Sequence, residues 1–187
     1  DVTTAKNTGV GKINNINVTS ATKADAKAAI KQAAQTKDDA IDKSNLTDEE
    51  KADVKKQVAG EVQKANAAID AATKDADVTT AKNTGVGKIN NINVPTTSAT
   101  KDAAKDAIDQ AAKAKNDAID ASNLTAEEKD TLKQTVAGEV NKAKAAIDAA
   151  TKDADVKTAQ TDGEKAINDV EIPTSSKTKN DANSDLD

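Results

Sequence analysis

The stretch Asn83-Thr84-Gly85-Val86-Gly87-Lys88-Ile89-Asn90 places two glycines and a lysine where a phosphate cradle would want them. A phosphate loop needs a further Gly five residues before the Gly-Lys pair and a Ser or Thr after it. Lys82 and Ile89 hold those places. A dinucleotide fingerprint would need a third Gly where Asn90 stands. The pairs Asp75/Asp77 and Asp153/Asp155 offer carboxylates for a weak cation site, and residues 181–187, DANSDLD, alternate oxygen ligands like the start of a calcium loop. In that loop Leu186 replaces the required Gly, and the bidentate Glu is missing. The sequons at Asn17, Asn45 and Asn123 fit a glycosylation acceptor, but the Thr of the latter two is better used as a helix cap. Carboxylates and Ser/Lys pairs occur throughout, with no apolar pocket in the pattern to shift their pKa values. The reading therefore assigns no catalytic, cofactor-binding or metal-binding residue, no cofactor, and no enzyme activity.

Composition narrows the classes further. The 187 residues contain no Cys, Met, Trp, Tyr, Phe, His or Arg. Leu, Ile and Val make up about 16 % of the chain, near the range where disorder becomes a serious reading. The net charge is only −5, whereas disorder also calls for high net charge. An acidic chain without Arg lacks the basic footprint that nucleic acid requires. No small-molecule substrate is implied. No stretch is apolar for long enough to cross a bilayer, and no signal-peptide or wall-sorting pattern is read, so any anchor is expected outside this stretch.

Behind these residues lies a repeat. Residues 1–18, DVTTAKNTGVGKINNINV, return unchanged at 77–94. AAIDAATKDADV at 67–78 returns at 145–156, and NLTDEEKADVKKQVAGEV at 45–62 returns as NLTAEEKDTLKQTVAGEV at 123–140. A diverged opening, DVKTAQTDGEKAINDVEIP, follows at 155–173. The expected organisation is a helical repeat at 1–76, a second at 77–154, the first helix of a partial third at 155–172, and a polar tail at 173–187.

Each repeat holds three helix-like segments. Val78, Ala81, Gly85, Ile89 and Ile92 form one stripe. Gly85 sits on it, where it would let a neighbouring helix approach. Ala26, Ile30, Ala33, Ala40 and Ile41 form the second stripe. Pro95 and Pro173 separate first from second segments. Thr47 with Glu50, and Thr125 with Glu128, form capping boxes opening the third segment. Its stripe runs through Val54, Val58, Val62, Ala65, Ile69, Ala72 and Ala76.

The third segment meets the next repeat's first segment without Gly, Pro or a polar cluster. The favoured expectation is one helix from about Asp48 to Ile92, spanning roughly 67 Å at 1.5 Å per residue. The apolar face turns to the opposite side between Ala76 and Val78, as expected of a helix leaving one bundle and entering the next. The competing expectation is a break at Asp75–Asp77 with Asp77 as N-cap. The fold class read is all-α: tandem three-helix bundles in an elongated rod.

The length of the unit, the opening ADV…A…G…INNI, the LT…EEK start and the A…AIDAATKDADV junction resemble a family of unknown function, DUF family 1542. The resemblance covers residues 1–172. It implies a repeat of Gram-positive cell-wall-anchored surface proteins of adhesin or biofilm type, extracellular, with neighbouring repeats of the same chain as partners and no catalytic residue. The function read from all this is a non-catalytic stalk or spacer that projects an adhesive domain from the cell wall. Two alternatives stand beside it: a helical module binding a host serum or matrix protein, and a largely disordered hydrophilic stress-type protein.

Overall fold

The computed structural model describes residues 1–14 and 20–184. Its described residues form helices and no strand. The helices are α1 (Val2–Asn14), α2 (Ala21–Asp42), α3 (Asp48–Ala71), α4 (Asp75–Asn90), α5 (Ala99–Asp120), α6 (Ala126–Ala149), α7 (Asp153–Asn168) and α8 (Lys177–Ser184). Packing divides the chain into two units: residues 1–40 with 55–93, and 41–54 with those from Val94 onward.

The second unit is built on a bundle of α5, α6 and α7. Ala104, Ile108, Ala112 and Ile119 of α5 meet Val136, Ala143 and Ile147 of α6 and Val156 and Ile167 of α7. In the first unit the residues one repeat earlier are buried likewise: Ile30, Val58, Ala65, Ile69, Val78 and Ile89. Three helices therefore share one core, as expected, and the packing sets the phase of the repeat. The segment that opens the sequence repeat is the third helix of a bundle, not its first. Ala40 and Ala76, read as stripe residues, face solvent.

The expected continuous helix from Asp48 to Ile92 is corrected. Helix α3 stops at Ala71, Lys74 is extended with φ −125° and ψ 147°, and α4 starts at Asp75. The second copy repeats this: Ala150 and Lys152 are extended between α6 and α7. The competing break at Asp75–Asp77 is displaced by a few residues, and Lys74 rather than Asp77 takes the N-cap place. The physical reason lies in the switch of apolar face. In the second unit α7 folds back so that Val156 and Ile167 enter the core already holding Ile147. Each large aliphatic side chain gains about 1.5–3 kcal/mol on burial, which outweighs a few residues of helix propensity. Asp75 and Asp77, and Asp153 and Asp155, fall in the first turns of α4 and α7, where the helix dipole favours carboxylates.

Glycine closes the bundles instead of ending helices. A Cβ on Gly85 would lie 2.5 Å from Ala65 Cβ and 2.7 Å from Ile30 Cδ1. A Cβ on Gly163 would collide with Ala143 Cβ and lie 2.8 Å from Ile108 Cδ1. No described residue has positive φ, so left-handed C-caps are absent among them. Lysines from neighbouring helices take over. Lys37 Nζ donates to the carbonyls of Asn90 (2.9 Å) and Ile92 (2.8 Å) at the end of α4. Lys115 does the same at the end of α7, to Asn168 (2.7 Å) and Val170 (3.0 Å). Lys23 and Lys101 reach the carbonyls of Asp70 and Asp148, and Lys51 and Lys129 those of Asp42 and Asp120. An ammonium suits the negative end of a helix.

Candidate functional site

The corner between α2 and α3 carries a polar network that recurs at the corner between α5 and α6. The expected capping box is present. Thr47 Oγ1 accepts from the Glu50 backbone N–H at 3.3 Å, and Glu50 Oε2 accepts from the Thr47 N–H at 3.0 Å. Thr47 is fully buried. In the copy, Thr125 Oγ1 and Glu128 N–H stand at 3.3 Å, and Glu128 Oε2 and Thr125 N–H at 2.9 Å.

The second oxygen of each glutamate does something local reasoning did not find. Glu50 Oε1 accepts from the backbone N–H of Thr100 at 3.0 Å, in the first turn of α5. Glu128 Oε1 accepts from both the N–H and the hydroxyl of Thr178 at 3.2 Å, in the first turn of α8. Each of those turns has its own cap. Ser98 Oγ accepts from Lys101 N–H and Ser176 Oγ from Lys179 N–H, both at 3.1 Å. Ser98 and Ser176 are both buried. One carboxylate thus satisfies orphan N–H groups of two helices that are distant in the chain.

The neighbouring residues extend the joint. The N–H of Asp48 donates to the Thr151 carbonyl at 2.8 Å, and the N–H of Asp153 to Glu49 Oε2 at 3.0 Å. The first turn of α3 therefore also holds the turn between α6 and α7. Beside Glu128 lies a cleft of about 240 Å³ lined by Leu124, Leu132 and Pro173, and its copy of about 220 Å³ beside Glu50 is lined by Leu46, Val54 and Pro95. All these residues belong to the second unit.

The electrostatics follow from the donors. Burial pushes the Glu50 carboxyl up. The N–H groups of Thr100 and Thr47 and the hydroxyls of Ser98 and Thr100 outweigh that and hold it at about 2. Glu128 is also lowered to about 2, first by the Thr125 N–H and then by Ser176 and Thr178, against a smaller effect of burial. Donors that bind only the ionised form depress a carboxyl pKa in this way. The arrangement fixes helix ends.

The sequence-level candidates are dispersed. Gly85, Gly87 and Lys88 lie inside α4, so Gly-Val-Gly-Lys is helix and forms no loop around a phosphate. Asn45 and Asn123 lie in the two corners, while Asn17 lies outside the described residues. The 181–187 pattern begins in α8 and runs past Ser184, the last described residue, so the segment expected as polar tail at 173–187 contains the helix Lys177–Ser184. Among the described residues no group of three or more acidic side chains could hold a metal ion, and no helix is long and apolar enough to cross a membrane.

The model of the family described as Domain of Unknown Function (DUF1542) matches residues 22–97 and again 100–175, more than half of the chain. The chain belongs to the DUF1542 family. Each match starts at the head of α2 or α5 and ends after α4 or α7, so the DUF1542 frame coincides with the three helices α5, α6 and α7 that share a core. Among curated proteins and among solved structures, nothing matches the chain.

Proposed function

We propose that this chain is part of a non-catalytic spacer in a bacterial surface protein, extracellular and wall-anchored, in which DUF1542 repeats hold an adhesive domain away from the cell wall. One observation carries the reading: the same joint occurs twice, at Glu50–Thr100 and at Glu128–Thr178, one repeat apart. A joint that recurs at the repeat length lets copies be added in series, and length then scales with copy number. Binding partners other than neighbouring repeats play no part in it, and neither does nucleic acid, a small-molecule substrate or a cofactor.

Small-angle X-ray scattering on the full chain at neutral pH tests this. A particle about 100 Å long, from the helix rise, gives a radius of gyration of roughly 30 Å. A compact globule of this length gives about 16 Å and an unfolded chain about 46 Å. The spacer reading expects the first of these values, with rod-like scattering. The compact value overturns it in favour of a module that binds a host protein. A coil-like curve with the unfolded value overturns it in favour of a hydrophilic chain that lacks stable structure.

A further inference from the structure

Helix α8 is eight residues long, and none of its residues is buried. An isolated helix of that length is unstable in water, because nucleation costs a factor on the order of 10⁻³ and few hydrogen bonds follow to repay it. Something other than a core must hold it, and the contacts at its start are well defined. Ser176, which precedes the helix, is only 3 % exposed. Thr178 donates twice to Glu128, and Lys179 Nζ donates to the Asn123 carbonyl at 2.8 Å. Pro173 lines the cleft shared with Leu124 and Leu132. All of these partners belong to the corner between α5 and α6 or to its first turns.

The start of α5 is seated in the same way on Glu50, but α5 continues into a core through Ala104, Ile108 and Ile119. Helix α8 thus shows the joint without the core that follows it elsewhere. The seated segments share a pattern: Pro95-Thr96-Thr97-Ser98-Ala99-Thr100 and Pro173-Thr174-Ser175-Ser176-Lys177-Thr178. The proline sets an extended approach, the serine caps, and the threonine two residues on presents its N–H to the glutamate.

We propose that each α2–α3-type corner is a docking site for the segment Pro-Thr-x-Ser-x-Thr of the same chain, and that it templates the helix that begins there. A folded corner supplies the partner of one orphan donor, the N–H of Thr100 or of Thr178, before the new helix has buried any side chain, and the segment's own serine caps a second. Folding then passes from one repeat to the next in the N-to-C direction, each corner nucleating the helix after it. The inference stands on the joint itself and is independent of the spacer role.

Hydrogen exchange on the full chain at neutral pH tests the docking. Two variants remove it from opposite sides. Glu128→Gln leaves one carbonyl oxygen, enough for the capping box with Thr125, and gives up Thr178. Thr178→Pro removes the donor on α8, in a first turn where proline is tolerated, and leaves α6 untouched. In the unmodified chain the amides of residues 180–184 should exchange at least ten-fold slower than free peptide. In either variant that protection should vanish, while residues 130–147 of α6 keep theirs. Unprotected 180–184 in the unmodified chain, or protection that survives both substitutions, overturns the proposal. Direction is tested by stopped-flow refolding of Glu50→Gln. Templating expects the α5–α7 bundle to refold several-fold slower with its unfolding rate nearly unchanged. Unchanged refolding with faster unfolding would mean that the joint forms last, and templating would be wrong.

Discussion

Residues 1–14 and 77–90 have the same sequence, and Val2–Asn14 and its counterpart in α4 are both helical, yet Val2 and Gly9 have surroundings unlike those of their counterparts. Val78 of α4 is 2 % exposed, and its counterpart Val2 of α1 is 86 % exposed. Gly85 is pressed against Ala65 and Ile30, whereas a Cβ on Gly9 would meet nothing within 4 Å. The carbonyls ending α4 accept from Lys37. A second pair shows the same contrast at smaller scale. Ser20-Ala-Thr-Lys23 and Ser98-Ala-Thr-Lys101 are identical, but a glutamate seats only the second among the described residues. The stripe is thus a capacity for burial, and the partner helices decide whether it is used. In the second unit those partners are the two helices that precede α7 in the chain, α5 and α6.

The largest test of the contrast is a matched pair of truncations. Val78→Ala removes buried methyl groups and leaves a cavity, and should cost about 2–3 kcal/mol in denaturant unfolding. Val2→Ala should stay within about 0.5 kcal/mol, as exposed substitutions do. Equal costs would mean that α1 buries its stripe in solution after all. Glycine gives the next effect, and here the sign should differ. Gly85→Ala forces a methyl group into Ala65 Cβ. Overpacking costs about 1–3 kcal/mol, reduced by up to about 1 kcal/mol of helix propensity. A net loss of up to about 2 kcal/mol is expected from the difference of the two when the full propensity gain is realised. Gly9→Ala keeps only the propensity gain, so the helical circular dichroism signal should rise. Smaller again is Lys37→Met, which keeps the aliphatic stem and loses two charge-assisted bonds to α4 carbonyls. About 0.5–1 kcal/mol is expected in the unfolding free energy, with faster amide exchange confined to the last turn of α4.

These contrasts also mark what sequence could reveal. The capping boxes at Thr47–Glu50 and Thr125–Glu128 were legible because donor and acceptor lie three residues apart and the pattern is local. The core stripes were legible because Ile30, Val58, Ile69 and Ile89 keep helical spacing. The turn at 72–74 was not. Ala72-Thr73-Lys74 contains no helix breaker, and only the competition for a shared core stops α3 there. The second role of Glu50 was hidden because Thr100 is remote in the chain and contributes a backbone N–H, which nearly any residue carries. A signal did exist. Ser-Ala-Thr-Lys at 20–23 and 98–101 and Ser-Lys-Thr-Lys at 176–179 recur at the repeat length, each across the start of a helix. The C-capping lysines stand among many other lysines of the chain, although Lys23, Lys37 and Lys51 are evenly spaced and Lys101, Lys115 and Lys129 repeat that spacing.

Acid titration separates the seated and unseated copies of the Ser-Ala-Thr-Lys turn with the least perturbation. Glu50 and Glu128 are both depressed from an ordinary value of 4.5 to about 2. The folded joint therefore binds protons less readily than the unfolded chain. Its contribution to stability is whole above pH 4.5, declines as the pH falls below that, and is gone once the pH has passed through about 2. Both glutamates keep contact with solvent, so the effect is a local loosening and not global unfolding. In an amide-proton titration, Thr100 and Thr178 should shift with midpoints near 2, because their N–H groups point at the titrating carboxylates. Thr22, the equivalent residue in α2, should show no transition with that midpoint. Midpoints near 4.5 at Thr100 and Thr178 would mean that the carboxylates titrate as free side chains. The identical turns would then behave alike, and the seating of α5 and α8 on their glutamates would not describe the protein in solution.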